Sequence, residues 1–470
     1  MDEIGQWEAQ LGHHKSALAH FEEAVRRYRQ SPAPEALPDL ALCLANLSVE
    51  LSQQGRRQAA METAHEALAI WRQLASDRPD QFGRDIALAF NNLGASLRAV
   101  GLAPEGLAAA REAVRLYRSL ALYRPALFLP ELATSLENLG ILLADVGQAD
   151  EALTVTAEAV ALHRRLEEQG AGDPTGFTRS LSSFGTCLSE AGRREEALAA
   201  LQEAVDRWRT AANKDPEILS DLASALHNLS AALSDVGNLE QALPPLEEAI
   251  ALNRRLAAEW PQAHQPNLAN NLDLLSTLLG DLGRPEVALP HAREAVRLYR
   301  RLTQSIPRAF KPGLAQSLIG LGNRLAETAR RREALAVFEE AERLFRQLAR
   351  QRRAVAHGEA ICLDALALHL SDLGRWEEAL PRARRAVRLF RRLAREQPEA
   401  FVPQLGRTLN NLADLHVVLG HPRRALRILQ EAERKLRPYA EQEPAPFEGW
   451  LQAVLTTRQE ARRVAGLARR

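Results

Sequence analysis

The chain has 470 residues, with 60 Lys+Arg against 60 Asp+Glu, so its formal net charge is zero. Apolar residues make up 46% and charged residues 26%, the proportions of an ordinary folded, soluble chain, which disfavours disorder beyond the ends. No stretch approaches the ~18 uncharged apolar residues of a bilayer span. The opening MDEIGQWEAQ is acidic and helical in pattern, not leader-like, so no membrane partner and a cytoplasmic location are expected.

Read in chain order, glycine recurs at 12, 55, 101, 147, 192, 237 and 283, Ala329 holds the same place, and Gly374, Gly420 and Gly466 follow. Five residues after each of these marks stands a small residue (Ala17, Ala60, Gly106, Ala152, through to Ala425), and twelve after stands alanine, from Ala24 and Ala67 to Ala386 and Ala432. Residues seven apart lie two turns along one helix face, so paired small side chains let a neighbouring helix approach closely. An aromatic often follows at the sixteenth place, as Trp71, Tyr117, Trp208, Tyr299 and Phe390. The glycine ends one helix and opens the turn into the next. Each unit is a helical hairpin, and a period of 45 or 46 residues from Gly55 onward, after a first spacing of 43, means an all-α solenoid.

The second unit is expected as helices near 36–54 and 57–76. Residues 1–31 form a truncated first repeat, 32–446 nine repeats, and 447–470 a capping helix with Trp450, Leu451 and Val454 on its covering face. The whole reads as one elongated domain, 1–470, because an array grows by adding layers. First helices follow proline–aromatic breaks (Pro125 to Phe128, Pro307 to Phe310), the aromatic plugging the gap between layers. Gly170-Ala171-Gly172-Asp173-Pro174 reads as the loosest loop and a hinge. At Ala329 the expectation is a continuous helix or a strained turn.

Cys43, Cys187 and Cys362 fall inside first helices with no CxxC spacing, the signature of buried small hydrophobes with no disulfide or metal site. HExxH, GxxxxGK[ST] and GxSxG are absent, and the twelve histidines are scattered, so no catalytic residues, no cofactor and no enzyme are expected. Charge is uneven along the chain. Residues 301–470 hold 32 Lys+Arg against 19 Asp+Glu, and residues 1–300 hold 28 against 41. Most of these arginines lie on second helices beside glutamates, as Arg382, Arg388 and Arg391 beside Glu377 and Glu378, the pattern of a solvated outer face.

The run of leucine-glycine, a small residue and a later alanine, as in Asn92-Leu93-Gly94, Gly101 and Ala113 or Asn138-Leu139-Gly140, Gly147, Ala152 and Ala159, resembles the tetratricopeptide repeat. The unit is about 11 residues longer than the usual 34 and lacks the closing proline. The Asn-Asn-Leu runs at 91–93 and 410–412 are similar to the kinesin light chain type and to bacterial arrays beside nucleotide-binding or caspase-like domains. The resemblance implies a right-handed superhelix of about ten hairpins, with first helices lining a concave wall that takes extended or helical peptides. Carried over, the asparagine before the first-helix leucine matches Asn46, Asn92, Asn138, Asn228 and Asn411. Ser183, Leu274, Gly320 and Ala365 interrupt the series. The same asparagines also suit a structural role, tying neighbouring hairpins together.

Two residues before six successive marks stand Asp145, Glu190, Asp235, Asp281, Glu327 and Asp372. An acid near a helix carboxyl end opposes the macrodipole. Two readings stand: pairing with the arginines three residues on (Arg193, Arg284, Arg330, Arg375), or a groove that receives a basic partner. The leading function is a scaffold that captures a peptide or partner protein on the concave face. One alternative is a ligand-sensing regulatory module of a bacterial signalling NTPase or caspase-like protease system. A second is nucleic-acid binding through the Arg-rich carboxyl half, disfavoured because few aromatics interleave those arginines. Oligomeric state and partner identity stay open.

Overall fold

The computed structural model describes residues 2–10, 14–30, 34–77, 81–213, 218–349, 356–396, 398–442 and 444–466. The first mark, Gly12, and the Pro79-Asp80 break lie outside them. The described residues hold 21 α-helices and no strand, and they divide into two compact units. One comprises residues 1–284 and 297–310, the other 285–296 and 311–470.

In the first unit the leading helix Asp2–Gln10 pairs with His14–Gln30, and five full hairpins follow. Their first helices are Leu37–Gln53, Gly83–Ala99, Pro125–Asp145, Pro174–Glu190 and Leu219–Asp235. Their second helices are Arg57–Asp77, Ala103–Tyr123, Ala149–Glu168, Arg194–Ala212 and Leu239–Glu259, after which Pro261–Asp281 opens the next hairpin. Each helix packs on the next in sequence. In the second unit Ala356–Asp372, Trp376–Glu396, Pro398–Val418 and Pro422–Gln442 repeat the scheme. The last helix, Pro444–Val464, lies against both Pro422–Gln442 and Pro398–Val418, with Val454 and Ala461 fully buried and Trp450 and Leu451 half-buried.

The repeated small residues carry this packing. All ten alanines at the twelfth place are at most 3% exposed, and the fifth-place residues are buried just as deeply. The sixteenth-place aromatics Trp71, Tyr117, Trp208, Tyr299 and Phe390 are buried beside them. Large and small side chains interdigitate, as dense interiors require. The three cysteines are free and buried, and desolvation pushes the Cys187 thiol up to about 11.

Every described mark glycine has a left-handed backbone, with φ between +67° and +84°. There the chain closes the Schellman pattern: Gly55 donates to the Ser52 carbonyl and Arg56 to the Leu51 carbonyl, at 2.9 and 2.8 Å. Of the two outcomes open at Ala329, the structure takes the strained turn. Its φ is +61°, and its own amide and that of Arg330 make the same two bonds.

The loop at 170–174, expected as the loosest and a hinge, is bounded by caps on both sides: Gly170 and Ala171 repeat the Schellman bonds, and Asp173 caps the next helix by accepting from the Thr175 amide at 3.0 Å. One helix, Pro125–Asp145, is also long and apolar enough by composition to cross a membrane, with mean hydropathy 1.3. It packs against the helices before and after it and buries Leu132, Leu136, Leu142 and Leu143. Its apolar character is that of a first helix covered on several sides. The proline breaks are also placed differently from the reading above. Pro125, Pro174 and Pro261 stand at the first helical turn, where the missing N–H costs nothing.

Candidate functional site

The direction of bending follows from which helices touch. In the first unit successive first helices meet one another directly, from Leu37–Gln53 with Gly83–Ala99 through to Leu219–Asp235 with Pro261–Asp281. Successive second helices are bridged instead by long side chains: Arg111 to Glu151 at 2.9 Å, Arg118 to Glu158 at 2.6 Å and Arg209 to Glu248 at 2.6 Å. The crowded side of a curved stack is its inside, so first helices form the concave wall.

That wall has one solvated stripe. In Pro125–Asp145 it runs Thr134, Asn138, Ile141, Asp145, and in Leu219–Asp235 it runs Ser224, Asn228, Ala231, Asp235. None of these is buried, whereas most of the residues between them are. Spacings of three and four keep each set on one helix face. The asparagine and acid columns singled out in the sequence therefore share a face. Asn46, Asn92, Asn138 and Asn228 are half-buried, and Asp145, Glu190, Asp235 and Asp281 are exposed along it. In the second unit Asn411 is half-buried, and Glu327 and Asp372 are exposed at the corresponding places.

The stripe changes along the first unit. Its early rungs are largely apolar (Leu42, Val49, Leu88, Ala95), and acids close each rung from Asp145 onward. The acids do not all pair as local spacing suggests. Arg193 turns forward to Glu196 at 2.6 Å and Arg375 to Glu378 at 2.7 Å. Asp145 instead accepts from Arg98 of the preceding hairpin at 2.6 Å, and Asp235 accepts from Ser189 at 2.7 Å. Glu327 takes Arg324 at 2.8 Å. The Glu190 side chain is exposed. Desolvation, and then the charge of Asp145, hold its carboxyl above the usual range.

The tie between hairpins sits mostly elsewhere, in buried positions that the sequence reading missed. Asn91 donates to the Ser135 hydroxyl at 2.6 Å, Ser180 donates to Glu137 at 3.3 Å, and His227 is hydrogen-bonded to Asn271. Asn91, Glu137 and His227 each stand ten residues before their glycine, one place ahead of the asparagine column. A polar column inside otherwise apolar first helices was the available signal. Of the five asparagines, Asn411 makes such a tie, donating to buried Asp364 at 3.2 Å. Asn46 keeps its Nδ2 buried without a protein partner. Glu137 is fully enclosed, and desolvation raises its carboxyl to about 7 against the pull of Arg179.

Arginines of the carboxyl half are drawn into carboxylate pairs. Arg382 reaches Glu342 at 3.2 Å, Arg391 reaches Glu431 at 2.6 Å, and Arg385 pairs with Glu359. Among the described residues no group of three or more His, Cys, Asp or Glu is placed to hold a metal ion.

The sequence model of the tetratricopeptide repeat matches residues 40–80, 132–170, 178–216, 222–258 and 360–399, and that of anaphase-promoting complex subunit 5 matches residues 4–47. No curated protein matches the chain. Among solved structures, a Rap protein complexed with Competence and Sporulation Factor is 12% identical over 80% of this chain and 99% of its own, with a TM-score of 0.51. A Podosopora anserina putative kinesin light chain with TPR-like repeats is 17% identical over 47% of this chain and 98% of its own, with a TM-score of 0.35. A Pyrococcus horikoshii signal transduction ATPase with a tetratricopeptide repeat sensor is 14% identical over 84% of this chain and 55% of its own, with a TM-score of 0.49. At such identities the Rap likeness speaks for the fold alone. Over those five regions the chain carries tetratricopeptide repeats, and there they fall on stacked hairpins joined through buried alanines.

Proposed function

We propose that the protein is an interaction scaffold that holds an extended segment of a partner protein against the stripe of its first helices. The tetratricopeptide repeats make it a protein-interaction module. The solvated stripe carries the finer reading: four side chains per helix stay open on a wall whose other positions are filled. The segment best suited to it has an apolar end, facing Leu42, Val49 and Leu88, and a basic end, facing Asp145, Glu190 and Asp235. Glu190 supports the second half of this reading, because a cation brought beside it relieves its repulsion with Asp145. An extended segment rises about 3.3 Å per residue, and packed helices lie roughly 8–10 Å apart, so about one side chain in three meets a rung.

The test is selection from a random peptide display library on the immobilised protein and on the Glu190→Lys/Asp235→Lys variant. Peptides rich in Lys and Arg on one side of an apolar cluster are expected on the first and lost on the second, with unchanged helical circular dichroism. Enrichment of the same peptides on both proteins refutes the acidic half of the proposal.

A further inference from the structure

The first unit closes on itself. The turn at Gly55 lies against the start of Pro261–Asp281, where a Cβ added to Gly55 would stand 2.4 Å from the Gln262 carbonyl carbon. Gly101 meets Arg308 and Ala309 in the same way and at the same offset along the chain. The mark glycines that follow, Gly147, Gly192, Gly237 and Gly283, have nothing within 4 Å of such a Cβ. One coil of hairpins therefore seats its turns on the next, between four and five hairpins later. Side chains fasten the seam. Arg57 donates to the Gln262 carbonyl at 2.7 Å across 205 residues and lies over the Phe310 ring, Lys15 lies over the Trp260 ring at 4.5 Å, and Arg308 approaches Glu105 at 3.8 Å.

Within this seam is a cleft of about 460 Å³, lined from one coil by Gly55 to Ala59 and from the other by Gln262, Gln265 and the helix face Arg301 to Ile306. Its volume is in the range of small-ligand sites. Its lining holds three arginines, Arg56, Arg57 and Arg301, with Gln265 and Ser305 and no carboxylate. Arg57, Gln58 and Ala59 also begin the helix Arg57–Asp77, so their amides have no partner within the helix and carry its positive end.

Arg57 is the second, independent sign. It is half-buried, and burial alone shifts it, with no acidic group acting on it. Its charge also bears on neighbouring His264, whose imidazole is held below its ordinary range by burial first and then by Arg57. Of the three arginines, Arg56 has a carboxylate, Glu22 at 2.9 Å. Arg57 is half-buried and Arg56 and Arg301 are exposed at the cleft, and with one carboxylate, that of Glu22 on Arg56, among their described partners the cluster keeps positive charge that an anion would neutralise.

We infer that the seam cleft binds an oxyanion, carried on a small phosphate- or carboxylate-bearing ligand, between Arg57 and the helix amino end on one coil and Arg301 and Ser305 on the other. The site is separate from the concave stripe, and its ligand bridges both coils.

Titration calorimetry on the full chain at low ionic strength tests it, with inorganic pyrophosphate in one arm, citrate in a second and sodium chloride at matched ionic strength in a third. Saturable binding of pyrophosphate or citrate, weakened at least tenfold by Arg301→Gln, is the expected result, and the better-bound probe tells phosphate from carboxylate chemistry. Arg301 is exposed and outside the seam bonds, so this variant should melt like the parent without ligand. Ser305→Ala provides a second, milder reading, with binding weakened about threefold. Binding absent from both probe arms, matched by sodium chloride, or unchanged in Arg301→Gln overturns the inference.

Discussion

Replacing Ala329 by glycine should stabilise the protein, although it removes a methyl group and adds chain freedom. An L-residue in the left-handed region costs about 1–2 kcal/mol, and Ala329 is held there at φ +61° by the same two capping bonds that its glycine counterparts make. Glycine relieves that strain but loses roughly 0.5–1 kcal/mol through the greater entropy of the unfolded chain, so Ala329→Gly should gain about 0.5–1 kcal/mol. The reverse change measures the same quantity elsewhere. Gly147 has φ +81° and no atom within 4 Å of an added Cβ, so Gly147→Ala should lose about as much as Ala329→Gly gains. Gly55 has nearly the same φ, +75°, but its Cβ would collide with backbone at Gln262. Gly55→Ala must therefore open the seam or displace the chain, and should lose at least about 2 kcal/mol more than Gly147→Ala, the order of overpacking costs. Urea titrations followed by circular dichroism would rank the three. Hydrogen exchange at the 55–59 amides would report the seam, since repeat arrays lose structure locally. A neutral or destabilising Ala329→Gly, or equal losses at Gly55 and Gly147, would refute the reasoning.

Two further outcomes follow from the interior. Ala204 is fully buried at the twelfth place, between helices that meet through it, so Ala204→Leu should destabilise by about 1–3 kcal/mol, seen as a lowered urea midpoint, while Ala204→Gly should cost only about 1 kcal/mol. Glu137 is an acid whose folded pKa is raised from 4.5 to about 7, so the fold binds its proton more tightly than the unfolded chain does. Its contribution is fully present below pH 4.5, falls as pH rises and is gone once pH has passed through about 7, a span of roughly 3 kcal/mol. Glu137→Gln should flatten that decline and leave the protein more stable than the parent above pH 7. An unchanged pH profile in thermal melts would count against it.

The repeat register, the hairpin at each period, the burial of the fifth and twelfth residues and the columns of asparagines and acids were legible in the amino-acid sequence. These are local facts: helix periodicity decides which residues share a face, and a small side chain is demanded wherever two helices come close. That Asn138 and Asp145 share a face is a consequence of their spacing of seven that the separate reading of the two columns did not draw. The partners of those residues were not legible. Arg193 stands three residues from both Glu190 and Glu196, and sequence distance does not rank the two, whereas the turn geometry sends it forward to Glu196. The buried ties Asn91 to Ser135 and Ser180 to Glu137 join residues 44 and 43 apart, a relation fixed by how far one hairpin shifts against the next.

The seam lies further still from the linear order. Gly55, Gly101 and Gly147 are equivalent letters in a repeat with nearly the same φ, yet two of them touch a later coil and the third touches nothing. Repetition alone determines the unit and its faces. Curvature, which accumulates from small rotations between layers, decides which distant units meet, and only the assembled coil brings Arg57 to Gln262 and Arg301 to the same cleft.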